Sequence, residues 1–254
     1  METFKKSYQS KIINIIPIAG KGLRFKKVGY KIHKSLIKHN KIPIFIHSAK
    51  CLPKANLNIF ILKKRSSKEH LIQKKIIKRF FKSQVKIIIL KNETKGQADT
   101  IYKTRNFIPK GSIVNIAASD TICKFDIKKY YKMIEVNEAL IWTSKPKKFQ
   151  IVNLRQFGSV IRRRKKIFVY CKKQIKFRPL NIITGFFSFK NNGKIFSILK
   201  FARQNKKYFI NNEIYLDTIF EIFSKKYSDK INMFAINKII SFGTPEEYNE
   251  NKIV

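Results

Sequence analysis

The run Ile12, Ile13, Ile15, Ile16 ends at Pro17 and leads into Gly20-Lys21-Gly22 and then Arg24. No other stretch constrains the fold as strongly. β-branched residues at this density form a strand, and the glycines and proline end it. Gly20 and Gly22 lack a Cβ, so backbone N–H groups there can come close to an anion. Lys21 and Arg24 bring positive charge to the same place. The junction reads as a phosphate-holding loop after the first strand of an α/β sheet, the edge at which such sheets bind ligands. Strand-Gly-x-Gly also marks plain tight turns, so the loop alone does not decide function.

Further along, apolar runs at Leu57–Leu62, Val85–Leu90, Ser112–Ala117 and Ala139–Thr143 predict strands. They alternate with helical patterns over Ser67–Phe81, Gln97–Phe107 and Asp126–Ile134. This alternation implies βαβ units and a largely parallel sheet. Beyond Lys145 the pattern changes. Short strands are predicted at Gly158–Arg164, Lys166–Lys172, Ile182–Phe189 and Ile231–Ile236. Helices are predicted at Lys194–Gln204, Glu213–Ser224 and Thr244–Asn249, the last with Thr244 as N-cap and Pro245 in its first turn. The chain of 254 residues reads as one domain, large enough to bury a core without staples. Residues from about 11 to 145 are expected to form a nucleotide-type half and those from about 146 to 254 an acceptor-binding half.

Cys51, Cys123 and Cys171 are odd in number and far apart. They suggest neither a disulfide framework nor a zinc cluster, and a reducing, cytoplasmic setting is expected. His33, His39, His47 and His70 lack metal-ligand spacing and read as ordinary surface or core residues. The apolar stretch Ile12–Ala19 is broken by Asn14 and Pro17 and is too short to span a bilayer. The net charge is +41, from 56 basic and 15 acidic residues. Lys outnumbers Arg by 46 to 10, and Ile outnumbers Val by 43 to 8. Nucleic-acid surfaces lean on Arg for bidentate contacts, so this bias reads better as codon usage than as a nucleic-acid face. No specific nucleic-acid partner is expected, and the dense cluster Arg162–Lys166 reads as a solvated hairpin turn. The charge still concentrates anionic substrates near a cleft.

Three further segments carry chemistry. Gly29–Ile37 places Lys34 before an apolar turn. Thr94–Ile108 places Gly96 and Gln97 at the mouth of a helix, where free N–H groups favour anions and polar ligands. Val114–Thr121 places Asp120 after an apolar strand, on the edge that holds the glycine loop if the strands are parallel. A carboxylate there, facing a cationic phosphate loop, is placed to hold Mg²⁺, which takes one or two carboxylates together with phosphate oxygens. The same aspartate would also serve as a turn cap.

The order IIPIAGKGLRF, GYKIHKSLI, TKGQADTIYKTRNFI, VNIAASDT, ITGFFSF, NEIYLDTIF, FGTPEEY runs from Ile12 to Tyr248. It resembles the bacterial sugar-phosphate nucleotidyltransferase family, most nearly the subgroup of capsular and surface polysaccharide synthesis. The resemblance implies a Rossmann-like nucleotide-diphospho-sugar transferase fold, with a mixed, mostly parallel central sheet flanked by helices. It implies transfer of a nucleoside monophosphate from an NTP to a phosphorylated small-molecule acceptor, with Mg²⁺. It assigns Ala19, Gly20, Lys21 and Gly22 to the base and triphosphate, and Arg24 to the departing pyrophosphate. Lys34 falls to the phosphate at the reacting centre, Gly96, Gln97 and Ala98 to the base, and Asp120 to the metal. Lys172 is matched to the acceptor phosphate, Thr184 and Gly185 to the sugar, and Glu213 to the acceptor side.

The chain departs from the family pattern at several positions. Leu23 replaces a small residue after the glycine turn. His33-Lys34-Ser35 replaces Pro-Lys-Pro, keeping the lysine and losing two ring-fixed φ angles. Cys171 stands where a glutamate precedes the acceptor lysine, and Ser241 where many relatives carry a second metal aspartate. Two other readings follow from the residues: a basic nucleic-acid or ribosome-associated binding protein, and a relative that binds nucleotide without turnover.

Overall fold

The computed structural model describes residues 10–147, 150–151, 156–164, 166–171 and 181–252. In chain order these form β1 (Ile12–Pro17), α1 (Leu23–Lys27), β2 (Lys38–His39), β3 (Ile42–Pro43), α2 (Ile44–Cys51), β4 (Leu57–Lys63), α3 (Glu69–Phe80) and β5 (Val85–Leu90). There follow α4 (Gln97–Tyr102), β6 (Ile113–Ile116), β7 (Thr121–Lys124), α5 (Ile127–Val136), β8 (Ala139–Ser144), β9 (Ser159–Arg163) and β10 (Lys166–Tyr170). The remainder comprises β11 (Ile182–Lys190), α6 (Lys194–Gln204), α7 (Leu216–Lys226), β12 (Ile231–Ala235), β13 (Lys238–Ser241) and α8 (Pro245–Lys252).

β1 is buried at every position because it lies between two parallel neighbours, β4 and β6, with helices on both faces. β5 extends this parallel block beyond β4. On the other side β11 runs antiparallel to β6 and pairs with both β8 and β9, while β12 is parallel to β8. The result is a nine-stranded mixed α/β sheet flanked by helices, as the resemblance implied. Alternate residues of the strands feed two cores. Ile13, Ile15, Ile59 and Ile61 pack with Ile101, Leu199, Ile219 and Phe220 of α4, α6 and α7. Ile12, Ile16, Phe60 and Leu62 pack with Phe45, Ile77 and Tyr130 of α2, α3 and α5. Each such side chain contributes roughly 1.5–3 kcal/mol on burial.

The polar residue inside β1 has a structural cause. Register sets Asn14 opposite both Asn58 of β4 and Asn115 of β6, and sets Asn115 opposite Ser188 of β11. Asn115 Nδ2 donates to Asn14 Oδ1 at 3.0 Å, and Asn14 Nδ2 donates to Asn58 Oδ1 at 3.2 Å and to Pro53 O at 2.9 Å. Tyr130 and Ser188 hydroxyls donate to Asn115 Oδ1, and Trp142 Nε1 donates to Ser188 Oγ. A polar ladder thus crosses four strands with its buried groups paired, which removes the penalty of burying them.

Several boundaries differ from the sequence pattern. The helix predicted over Gln97–Phe107 stops at Tyr102, and a 3₁₀ turn covers Arg105–Phe107. The Thr104 hydroxyl and N–H both take the Ile101 carbonyl, which diverts the backbone from the α-helical ladder. The helix predicted from Glu213 begins at Leu216, because Glu213 bridges Ile210 and Ile214 pairs with the mouth of α4. The pattern missed α1, β2, β3, α2, β7 and β13. Thr244 does cap α8, in a reciprocal box: Glu247 N donates to Thr244 Oγ1, and Thr244 N donates to Glu247 Oε2. The cluster Arg162–Arg164 sits at the β9–β10 turn, as expected, with Arg164 at φ 53°.

Since β1, β4, β5 and β6 are parallel, their carboxyl ends share one edge. The chain leaves that edge at Ala19–Gly22, Arg65, Thr94–Gly96 and Asp120. β13 pairs with β7 so that Ser241 faces Thr121, and Phe242 N donates to Asp120 O at 2.8 Å. This brings the C-terminal segment Gly243–Glu247 to the same edge.

Candidate active site

The glycine loop is held by one cation and a histidine. Arg65 Nη2 donates to Ala19 O at 3.0 Å and to Gly20 O at 2.6 Å. His33 Nε2 lies 3.0 Å from Gly20 O. His33 is therefore a loop partner, and not the ordinary core or surface residue that its spacing suggested. Burial, followed by the Arg65 charge, holds its imidazole below the usual range. Its φ of −64° is the angle a proline ring would impose. Gly22 has φ 67°, and a Cβ there would stand 3.1 Å from Lys34 Cβ, so only glycine fits easily against the lysine. Lys21 and Arg24 are exposed beside the loop, with Arg24 in electrostatic reach of Tyr215 and Glu246. Leu23, the departure after the turn, is 55 % exposed and leaves the loop intact.

Lys34 joins this loop to the carboxylate. Its Nζ donates to Asp120 Oδ2 at 2.6 Å and to Gly243 O at 3.1 Å. Burial works to raise the Asp120 pKa, but the Lys34 charge and hydrogen bond and the Thr121 hydroxyl outweigh it and lower it. Asp120 is thus held ionised at the carboxyl end of β6. Gly185 of β11 has φ 82°, and a Cβ there would stand 2.8 Å from Ala118 Cβ. The register of β11 against β8 shifts between Ile183 and Phe187, around this glycine. Thr184 is buried and its hydroxyl donates to Trp142 O at 2.9 Å.

Gly96, Gln97 and Ala98 meet the Glu213 segment. Gly96 has φ 96°, and a Cβ there would lie 2.6 Å from Ile214 O. Ala98 N donates to Ile214 O at 3.1 Å, so that helix-mouth N–H is already taken. Glu213 is exposed, and its Oε2 accepts from Tyr215. Cys171 is buried, 2.7 Å from Glu221 Oε2, with its thiol pKa raised by burial. Lys172 lies outside the described residues. A cavity of about 520 Å³ lined by Lys207, Tyr208, Thr218, Glu221 and Lys225 lies over α7 and takes in none of the candidate residues.

A second carboxylate stands next to Asp120 that the sequence did not single out. A Cβ on Gly243 would lie 2.9 Å from Glu247 Oε2 and 3.7 Å from Asp120 Oδ2. Glu247 is 4 % exposed. Its Oε2 accepts from Ser241 Oγ at 2.9 Å, and its Oε1 is buried without a hydrogen-bond partner among the described residues. Burial raises its pKa, and the Asp120 charge adds to the rise against the Ser241 hydrogen bond. The only signal in sequence was the Thr-x-x-Glu spacing, which marks a helix cap. Among the described residues no group of three or more His, Cys, Asp or Glu side chains gathers for a metal. Mg²⁺ bound with a triphosphate needs only one or two carboxylates. Asp120 and the orphaned Glu247 oxygen are hard donors of that kind, so the residues present fit such an ion.

A model of the nucleotidyl transferase family matches residues 13–167. The chain belongs to the nucleotidyl transferase family. Solved structures of similar fold include a nucleoside-diphosphate-sugar pyrophosphorylase from Vibrio cholerae, with TM-score 0.70 and 17% identity over 95% of this chain and 100% of that one. A UDP-glucose pyrophosphorylase solved with UDP-glucose gives TM-score 0.70 and 16% identity over 96% and 97%. An inositol-1-phosphate CTP transferase from T. maritima gives 0.66 and 11% over 94% and 91%. At these identities the likeness speaks for the fold. No curated protein matches the sequence. In this nucleotidyl transferase no described helix is long and apolar enough to cross a membrane.

Proposed function

We propose that the chain is a cytoplasmic nucleotidyltransferase. It moves a nucleoside monophosphate from an NTP to a sugar 1-phosphate or similar phosphorylated acceptor, serving nucleotide-sugar supply for surface polysaccharide. The observation that carries this reading is the link from Gly22 through Lys34 to Asp120, which joins a phosphate-type loop to a carboxylate. The family and the fold neighbours support it.

An acceptor phosphate oxygen attacks the α-phosphorus in line. An oxygen–phosphorus bond forms, the bond to the β-phosphate oxygen breaks, and pyrophosphate leaves with the electron pair. Such transfers depend on positioning and charge rather than on a protein nucleophile. In this reading the Ala19–Gly22 backbone holds the triphosphate, and Lys21 and Arg24 offset charge on the departing pyrophosphate. Lys34 sits at the reacting phosphate. Gly96, Gln97 and Ala98 face the base, while Thr184, Gly185, Glu213 and Lys172 serve the acceptor. Asp120 would hold Mg²⁺, with Glu247 beside it. The ion would neutralise phosphate charge as the bond breaks.

The test is a pyrophosphate-release screen of CTP, UTP, dTTP and GTP against a panel of phosphorylated acceptors. Release with one NTP and one acceptor class is expected. NTP affinity by calorimetry without release from any pair would refute turnover and leave a binding relative.

A further inference from the structure

We infer that His33 is a positioning residue that sets the direction of the glycine-loop N–H groups, with Ser35 and Gln73 behind it and Arg65 beside it. The inference rests on the proposed phosphate role of that loop.

The hydrogen-bond chain has one sense only. Ser35 N–H donates to His33 Nδ1 at 3.3 Å. Nδ1 is therefore the acceptor, and the ring proton sits on Nε2. Nε2–H then donates to Gly20 O at 3.0 Å. The Ser35 hydroxyl donates to Nδ1 at 2.8 Å, and its oxygen takes the N–H of Gln73 Nε2. Gln73 comes from α3 and is 1 % exposed, so the chain is anchored in the core. The two Ser35 donors share the single Nδ1 lone pair in a three-centre bond, and no donor faces a donor.

The consequence for the loop follows from peptide geometry. All described peptides are trans. In a trans peptide the C=O and the following N–H point in opposite directions. Arg65 holds Ala19 O, while Arg65 and His33 together hold Gly20 O. The N–H groups of Gly20 and Lys21 are thereby turned the opposite way, free for an anion. Packing does not do this at Gly20, where a Cβ would meet nothing within 4 Å. His33 and Ser35 thus replace by hydrogen bonding the rigidity that Pro-Lys-Pro would give through its rings.

Two variants separate this role from bulk packing. Glutamine reaches as far as Nε2 and keeps a donor for Gly20 O, whereas asparagine reaches only to Nδ1. Backbone ¹⁵N order parameters are measured at Gly20, Lys21 and Gly22 in the NTP-free protein. His33→Asn is expected to drop them from about 0.85 to below about 0.6, and His33→Gln to leave them near the rigid value. NTP affinity, measured without acceptor, should fall about tenfold in H33N and less than about threefold in H33Q, as the loss of one hydrogen bond predicts. Unchanged order parameters in H33N overturn the inference, as does equal loosening in both variants. If H33N fails to fold, Gln73→Met takes its place, with a lowered order parameter at Lys21 expected and no change overturning. Wild-type protein without NTP affinity would overturn the phosphate role, while the order parameters still decide whether His33 orders the loop.

Discussion

Lys34 and Asp120 are 86 residues apart in sequence, and their side chains meet at 2.6 Å. Both are partly exposed. An ion pair in that position contributes about 0–1 kcal/mol to stability, so its placement is better explained by chemistry than by folding.

Asp120→Asn is therefore expected to leave the fold intact and to reduce metal-dependent pyrophosphate release by about 10²–10³-fold, the usual cost of one charged transition-state contact. A circular dichroism melt and a pyrophosphate assay check this together. Wild-type turnover in the variant would remove Asp120 from the mechanism.

Glu247→Gln keeps an oxygen for the Thr244 and Ser241 donors and removes the charge. It is expected to weaken Mn²⁺ binding in the presence of NTP by about tenfold, read from the bound-ion paramagnetic signal. Equal Mn²⁺ affinity would leave Glu247 as a helix cap alone.

The loop glycines should respond unequally to alanine. Gly96→Ala sets a Cβ 2.6 Å from a backbone carbonyl at φ 96°, while Gly20→Ala meets open space. The first should lower stability by roughly 1–3 kcal/mol. The second should change the melting temperature little. Comparable melting temperatures for the two would contradict the close approach of Gly96 to Ile214.

Asn115→Val removes the centre of the buried ladder and takes a hydrogen-bond partner from Asn14 and from Ser188. A loss of about 2–4 kcal/mol is expected in urea titration, since each orphaned buried group costs about 1–3 kcal/mol. A loss below about 1 kcal/mol would show that water or repacking satisfies them.

His33 has a pKa lowered from its ordinary 6.5 by burial, then by the Arg65 charge, with Lys26 lowering it further and Glu69 and the Gly20 carbonyl opposing. The unfolded chain therefore binds this proton more readily. The contribution is complete above about pH 6.5 and is lost as pH falls through the lower folded value. His39 titrates in the same direction, so the measurement is the difference between wild type and His33→Gln. The variant should lose less stability between pH 7 and pH 5, and parallel curves would contradict the shift.

Much of the parallel block was legible because Ile-rich strands announce themselves. Val85–Leu90 and Lys194–Gln204 match their elements residue for residue. Short helices such as Ile44–Cys51 were not legible, because Ile44, Phe45, Ile46, Ser48 and Ala49 are all buried and the segment is too short and too evenly apolar to show a helical period. Asp120 and the loop glycines stood out as residue types at strand ends, and Lys34 as a cation before an apolar turn. Arg65, Gln73 and Glu247 did not, since an arginine after a strand or a glutamate after a cap has an ordinary local reading.

The order of strands, the glycine turn after the first of them, and a carboxylate at the end of a parallel neighbour follow from the sequence alone, because hydrophobic periodicity and backbone freedom are local properties. The company those residues keep is a tertiary matter. His33 on Gly20, Glu247 beside Asp120, and a polar ladder across four strands depend on register and on pairing between distant segments. Those are fixed only when burial of the two core faces brings the strands together.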